Sequence, residues 1–276
     1  MGDLTVDTAV EGSDGNYRAT LSRDWEIWGP NGGYIAAIAL RAAGAYSRFD
    51  RPVTLVSHFL GVADFDSPVD LDVTTLREAK RAQSVRVSMT QRGQPIFDAM
   101  LWSVGEVSGL EHDVSEMPEA PDPESLRSAA DRLAEMGVEP HFKFWGNFDE
   151  RPTRWVDDWE NRPPGDPVFG CWYRYVPRST FDDPWLDACR SLILLDTLGW
   201  PAACSLHTRS GYLAPSIDLS VAFHRSRPQE QWLYGQASSP SASAGLIACE
   251  SRVWARDRAL LAVGASQLLC RPGQPF

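Results

Sequence analysis

Asp196 interrupts the apolar run Leu192-Ile193-Leu194-Leu195 in the stretch LILLDTLGW. A carboxylate in or beside an apolar interior costs several kcal/mol unless it is hydrogen-bonded, or else it keeps its proton. Bordering a cleft, such a group is a candidate general base. The plainer alternative is a carboxylate that caps a turn. A second set opens the segment GPNGGYIAAIALRAA: Asn31, Gly32, Gly33 and Tyr34. Asn31 can cap the helix that follows, and glycine lets a ligand approach helix-start N–H groups closely. A glycine turn feeding a helix gives the same pattern without a ligand. His58 and His224 occupy near-equivalent points of two strands. They are candidates for lining a substrate tunnel, although a partly buried structural histidine is the commoner arrangement. Ser216 follows a proline and opens a strand, by itself an ordinary strand-end hydroxyl. Gln267 lies among apolar residues, where a buried amide must find partners.

These residues sit on two similar halves. The first half runs from the Gly29-Pro30 turn into a helix whose apolar positions cover nearly every side, so the helix is expected to be buried. Four β-rich runs follow, Val53–Val62, Val69–Arg77, Ser84–Gln91 and Pro95–Val104, divided by Asp-Ser-Pro and Arg-Gly-Gln turns. The second half repeats the order. Asp183-Pro184 is a strong helix start, the helix runs through WLDACRSLILLDTLGW, and Ser216–Ser226, Gln231–Ser238, Leu246–Ala255 and Ala259–Cys270 are its strands. Shifting the first half by 164 positions puts Leu55 on Leu219, Phe59 on Phe223, Met89 on Val253 and Phe97 on Leu261. Two apolar patterns at one offset argue for internal duplication. Two sheets, each curved around a buried helix with one open edge, are satisfied by joining those edges. The expected division is one unit over residues 1–105, an acidic, Pro-rich linker over 106–145 with a short helix near Pro123–Met136, and a second unit over 146–276.

Composition narrows the function. A net charge of −11 over 276 residues disfavours nucleic acid as a partner, because duplex binding draws on excess Lys and Arg. An anionic small ligand needs only a local basic patch, for which Arg77, Lys80 and Arg81 are a candidate; a solvated hairpin end is the commoner meaning of such a cluster. The five cysteines form no CxxC pair, so neither a zinc site nor a disulfide framework is indicated, and small buried hydrophobes are expected. No apolar run approaches the roughly 20 residues of a membrane span. The acidic, polar N-terminus has no signal-sequence pattern, which makes the cytoplasm the default location. The Trp-rich stretch over residues 142–176 either shapes a pocket or covers the second sheet.

WGPNGGYIAAIALRAA with PVTLVSHFLGVAD resembles the N-terminal hot-dog of the acyl-CoA thioesterase II-like family, and GYLAPSIDLSVAFHRSRP with LLAVGASQLLCRP resembles its C-terminal hot-dog. The resemblance implies an α+β fold, a tandem (double) hot-dog of two curved antiparallel sheets, each wrapped around a long central helix. It implies hydrolysis of an acyl-CoA thioester by a water activated by an Asp, a Thr or Ser and a Gln. By position these are Asp196, Ser216 and Gln267, although counting back from Arg271 without a gap puts Ser266 in the third place. Asn31, Gly32, Gly33, Tyr34, His58 and His224 are then the candidate substrate-binding set. No metal or redox cofactor is expected, coenzyme A being part of the substrate, and a homo-oligomer of double hot-dog protomers is implied. Two other readings remain: a non-catalytic acyl-CoA or lipid-binding hot-dog protein, and a relative of the enoyl-CoA hydratases and acyl dehydratases. The last is lowered because no Asp–His pair occurs around Asn31 or Asp196.

Overall fold

The computed structural model of the chain describes residues 1–158, 161–208 and 211–273. A single helical turn, α1 (Leu4–Asp7), precedes two short strands, β1 (Glu11–Ser13) and β2 (Asn16–Ala19). The helix α2 (Gly32–Tyr46) leads into β3 (Arg51–Phe59), β4 (Val69–Glu78), β5 (Ala82–Gln91) and β6 (Gln94–Val104). After a segment containing the short helix α3 (Ala129–Glu135) come β7 (Phe148–Pro152), β8 (Val168–Tyr175), α4 (Pro184–Thr197) and α5 (Gly199–Leu206). The chain closes with β9 (Tyr212–Leu213), β10 (Asp218–Phe223), β11 (Leu233–Ser243), β12 (Leu246–Ala255), β13 (Leu260–Leu269) and β14 (Arg271–Pro272).

Capping explains where the helices start. Asn31 accepts a hydrogen bond from the Tyr34 N–H at 2.9 Å, and Asp183 accepts from the Trp185 N–H at 2.9 Å with Pro184 in the first turn. The helix expected near Pro123–Met136 is split by a second cap. Asp122 caps a 3₁₀ turn at Pro123–Ser125, and Ser128 starts α3 anew by accepting from the Asp131 N–H at 3.0 Å. The helix expected through Trp200 likewise breaks after Thr197, and α5 starts at Gly199, which lies so close to β12 that a Cβ would meet the Cys249 Sγ at 2.8 Å. Of the cysteines, Cys171, Cys189, Cys204 and Cys249 are buried, Cys270 is partly so, and all are free thiols.

Twelve strands form one sheet in the order β1-β2-β4-β5-β6-β3-β10-β13-β12-β11-β8-β7. Each half supplies a β3- or β10-type inner-edge strand, and these two edges pair antiparallel at the middle. His58 faces Asp218, Val56 faces Ser220 and Thr54 faces Ala222. The pairing is centred on Val56 and Ser220, residues 164 apart, so it is symmetric under the offset read from the sequence. A β-bulge also recurs at that offset, between Met89 and Thr90 in one half and between Val253 and Trp254 in the other. The β12–β13 turn is one residue longer than the β5–β6 turn, since Trp254 pairs with Leu260 where Thr90 pairs with Pro95. From there the offset becomes 165, and Phe97 corresponds to Ala262 rather than to Leu261. Joining the inner edges leaves no unpaired ladder at the centre of the molecule.

Both long helices lie on one face of the sheet and against each other. Gly33 of α2 abuts Ile193 of α4, and Gly44 abuts the ring of Trp185, so the helices run antiparallel. Ala36, Ala37, Ile38, Ala39, Leu192, Ile193 and Leu195 are fully or almost fully buried there. At ~25 cal/mol per Å² of apolar surface, this shared core is the main stabilising contribution. No helix among the described residues is long and apolar enough to cross a membrane.

Candidate active site

The last turn of α4 meets the first turn of α2, and there Asp196 is fixed. The Gly33 N–H donates to Asp196 Oδ2 at 2.7 Å. This contact requires glycine on geometric grounds, because a Cβ on Gly33 would fall 2.7 Å from the Ile193 Cα, and one on Gly32 would fall 2.9 Å from Asp196 Oδ2. Asp196 is 7% exposed, and its other oxygen, Oδ1, has no hydrogen-bond partner among the described residues. Burial raises its pKa above the ordinary carboxylate range; the nearby Ser216 hydroxyl and the Gly33 N–H act in the opposite direction. Ser216 is held by a bridge to Leu268 and opens the short extended run whose Ile217 N–H donates to the Gln267 carbonyl at 2.9 Å.

Asp196, Ser216, Asn31 and Gly32 share the wall of a cleft of about 1940 Å³. Its apolar lining includes Ile27, Ile35, Phe59, Ile96, Trp145 and Phe169. Trp28 and Trp200, from opposite halves, meet edge to face across the cleft wall at 6.4 Å. Arg154, Arg162 and Arg271 also border it and supply positive charge where Arg77, Lys80 and Arg81 do not: those three lie at the β4–β5 hairpin, away from the cleft. The Trp-rich stretch therefore shapes the pocket through residues such as Phe142, Trp145 and Trp155; its Trp159 and Glu160 lie outside the described residues.

Several expected site residues are elsewhere. Tyr34 is fully buried, stacked on Trp25 at 5.3 Å, with its hydroxyl donating to the Asp7 carbonyl at 2.7 Å. It holds the N-terminal segment to α2 and does not border the cleft. His58 is exposed on β3, where strand alternation turns its side chain away from the helices, and His224 is exposed just past the end of β10; neither borders the cleft.

Gln267 is also turned out, while Ser266 faces inward; neither is part of the cleft wall. Gly264 faces α4, where a Cβ would lie 3.2 Å from the Leu195 Cβ. The ladder with β12 is regular from Gly264 to Leu269, so Ser266 faces α4 and Gln267 faces away. Ser266 is 5% exposed, its hydroxyl has no partner among the described residues, and it pairs across the sheet with Cys249, a thiol close enough to Asp196 to sense its charge. The gapless count back from Arg271 was the signal for this placement. Glu150, which also borders the cleft, carried no sequence signal at all, since it sits in an unpatterned acidic stretch.

A twelve-stranded antiparallel sheet joined at two inner edges and folded over two antiparallel helices, with a cleft where the helix ends meet, defines a double hot-dog protein. Residues 21–104 match the acyl-CoA thioesterase N-terminal domain and residues 114–270 match the acyl-CoA thioesterase C-terminal domain. The chain belongs to the acyl-CoA thioesterase family. Among solved structures, it is similar to an acyl-CoA thioesterase II from Mycobacterium marinum, with 23% identity over 99% of this chain and 100% of that one and a TM-score of 0.78. A tesB protein of Mycobacterium avium subsp. paratuberculosis is 24% identical over 98% of each chain, with a TM-score of 0.77. A hot-dog protein of unknown function from Alicyclobacillus acidocaldarius is 20% identical over 97% of each chain, with a TM-score of 0.82.

Proposed function

We propose that the protein hydrolyses an acyl-CoA thioester with a water activated by Asp196. The observation that carries this reading is the Asp196 carboxylate, pinned through Oδ2, unpartnered at Oδ1 among the described residues, and bordering a large apolar cleft. Water attacks the thioester carbonyl carbon while its proton passes to Asp196. The tetrahedral intermediate then collapses, the C–S bond breaks, and the coenzyme A thiolate leaves with the proton that Asp196 returns. Ser216 orients the water from the cleft wall, backed by the buried, inward-facing Ser266, two hydroxyls doing the work expected of Ser216 and Gln267. For the developing oxyanion, the first turn of α2 supplies a donor. The Gly33, Tyr34 and Ile35 N–H groups are engaged by Asp196, the Asn31 side chain and the Asn31 carbonyl, so Gly32 N–H is the group that faces the substrate. Coenzyme A enters as part of the substrate, its phosphates toward Arg154, Arg162 and Arg271, and its acyl group along the apolar wall that includes Ile35, Phe59, Ile96, Trp145 and Phe169.

One observation favours a second reading. A serine at position 266 has no amide to hold the water, as a chain that binds acyl-CoA without cleaving it would also lack. Release of free coenzyme A from short, medium, long and aryl acyl-CoAs, with Asp196→Asn alongside, separates the two. Turnover abolished by the substitution supports hydrolysis. Tight binding with no turnover of any substrate supports the binding reading, and full activity in Asp196→Asn removes Asp196 as the base.

A further inference from the structure

The cleft contains a second carboxyl that hydrolysis does not use. Glu150 sits on β7 opposite Tyr173 of β8, between Phe148, paired with Tyr175, and Pro152, paired with Cys171. Alternation along β7 divides its charged residues between two faces. Asp149 and Arg151 lie on the outer face, where Asp149 accepts from Arg151 Nε at 3.1 Å and Arg174 Nη2 at 2.9 Å, and Arg151 covers the Trp232 ring. Phe148 points the other way, into the core, with its ring 5.7 Å from Tyr173 and 4.8 Å from Tyr175. Glu150 shares that inner face and borders the cleft beside Trp145, Pro152 and Phe169. Among the described residues it forms no ion pair. Its polar surroundings are the Tyr173 hydroxyl, which bonds to it, and the Cys171 thiol.

We propose that Glu150 is a specificity-determining residue that selects an acyl chain carrying a hydroxyl or keto oxygen. A plain hydrocarbon chain offers a carboxyl nothing, and a carboxyl in the wall of its pocket would be desolvated without return. Tyr173 meets one of its hydrogen-bonding positions, and an oxygenated chain meets another. Burial pushes the Glu150 pKa up to about 8, so at neutral pH it holds a proton and can both donate to and accept from an oxygen on the chain. Tyr173 and Cys171 are pushed up as well and stay neutral, so neither supplies a charge for an acidic chain end. A site built to hydrogen-bond a substrate oxygen rejects the analogue lacking it far more strongly than an apolar pocket rejects an added hydroxyl.

This inference rests on acyl-CoA being the substrate, and the test keeps the two apart. Hydroxyacyl-, ketoacyl- and aminoacyl-CoAs are compared with plain acyl-CoAs of matched length, in the wild type, Glu150→Gln and Glu150→Leu. The wild type is expected to favour an oxygenated chain by roughly 10- to 100-fold in kcat/KM. Glu150→Gln, which keeps a donor and an acceptor, should retain most of that ratio; Glu150→Leu should lose it while still cleaving plain chains. Equal kcat/KM for oxygenated and plain chains in the wild type overturns the proposal, as does an unchanged ratio in Glu150→Leu or a preference for the aminoacyl chain. The wild-type ratio decides even if Glu150→Leu does not fold. If no thioester is cleaved, hydrolysis is refuted, and the ratio of dissociation constants for the same pairs decides the role of Glu150.

Discussion

The Gly33 N–H donates to Asp196 Oδ2 at 2.7 Å, and through this bond the first helix of one half holds the carboxylate of the other. The candidate base therefore depends on both halves being docked. Gly33→Ala would drive a Cβ to 2.7 Å from the Ile193 Cα and 2.9 Å from the Ile193 carbonyl oxygen, neither of which can swing aside. Overpacking of this kind costs about 1–3 kcal/mol, only partly offset by the ~1 kcal/mol helix preference of Ala over Gly. The expected outcome is a thermal midpoint lowered by several degrees together with reduced thioester turnover.

Asp196→Asn keeps an acceptor for the Gly33 N–H and removes the base. Turnover should fall by about 10²–10⁴-fold, while the protein becomes more stable at neutral pH by on the order of 1 kcal/mol, because a desolvated charge is gone. The base works deprotonated, so wild-type activity falls as pH drops through its pKa. Burial raises that pKa, which places the acid limb of the kcat/KM profile above the ordinary carboxylate range. A limb lying at or below the free-carboxylate value would count against Asp196.

Ser266 and Gln267 make a paired test. Ser266→Ala should lower kcat by about 10-fold, as loss of one hydrogen bond to a positioned water. Gln267→Ala, on the outward face, should change it by less than about 2-fold, a surface substitution. The reverse ranking in steady-state kinetics would restore Gln267 to the site.

Glu150 predicts a pH dependence of stability. Its folded-state pKa is about 8, above the ordinary ~4.3 of an unfolded glutamate. Between those values the unfolded chain gives up a proton that the folded chain keeps, so stability is fully present below the lower value and is lost as pH rises toward the upper one. Glu150→Gln removes this loss. Its thermal midpoint relative to wild type should therefore be higher at pH 8.5 than at pH 5; a constant difference would show that Glu150 is not held neutral.

Far from the cleft, Arg190 is 1% exposed and ion-paired with Asp187, and it donates to the Ser179 carbonyl at 2.8 Å and the Glu230 carbonyl at 2.6 Å. Asp187→Ala leaves that guanidinium buried without its counter-charge, at a cost of about 3–5 kcal/mol. Denaturant titration should show this loss, and Asp187→Asn, which still accepts from Ser226, should show less of it.

Much of this was legible in the residues themselves. The apolar pattern at offset 164 anticipated the pairing centred on Val56 and Ser220, because alternation and turn chemistry are local properties written along each strand. Asp196 stood out for the same kind of reason, a charge where the helix pattern demanded an apolar residue. Tyr34 misled because its place beside Asn31-Gly32-Gly33 gave no hint that its ring turns inward onto Trp25, a contact with an element outside the motif.

The sequence by itself determined two β-meanders with their helices, the carboxylate at position 196, and a glycine pair at the start of the first helix. Only the tertiary structure decided which neighbour in Ser266-Gln267 faces the helices. One extra residue in the β12–β13 turn shifts the strand by one position, and a one-position shift exchanges the two faces of a strand. It also decided that Glu150, from the Trp-rich stretch, shares the cleft with Asp196. That meeting depends on β7 closing the far edge of the sheet, and no local pattern encodes it.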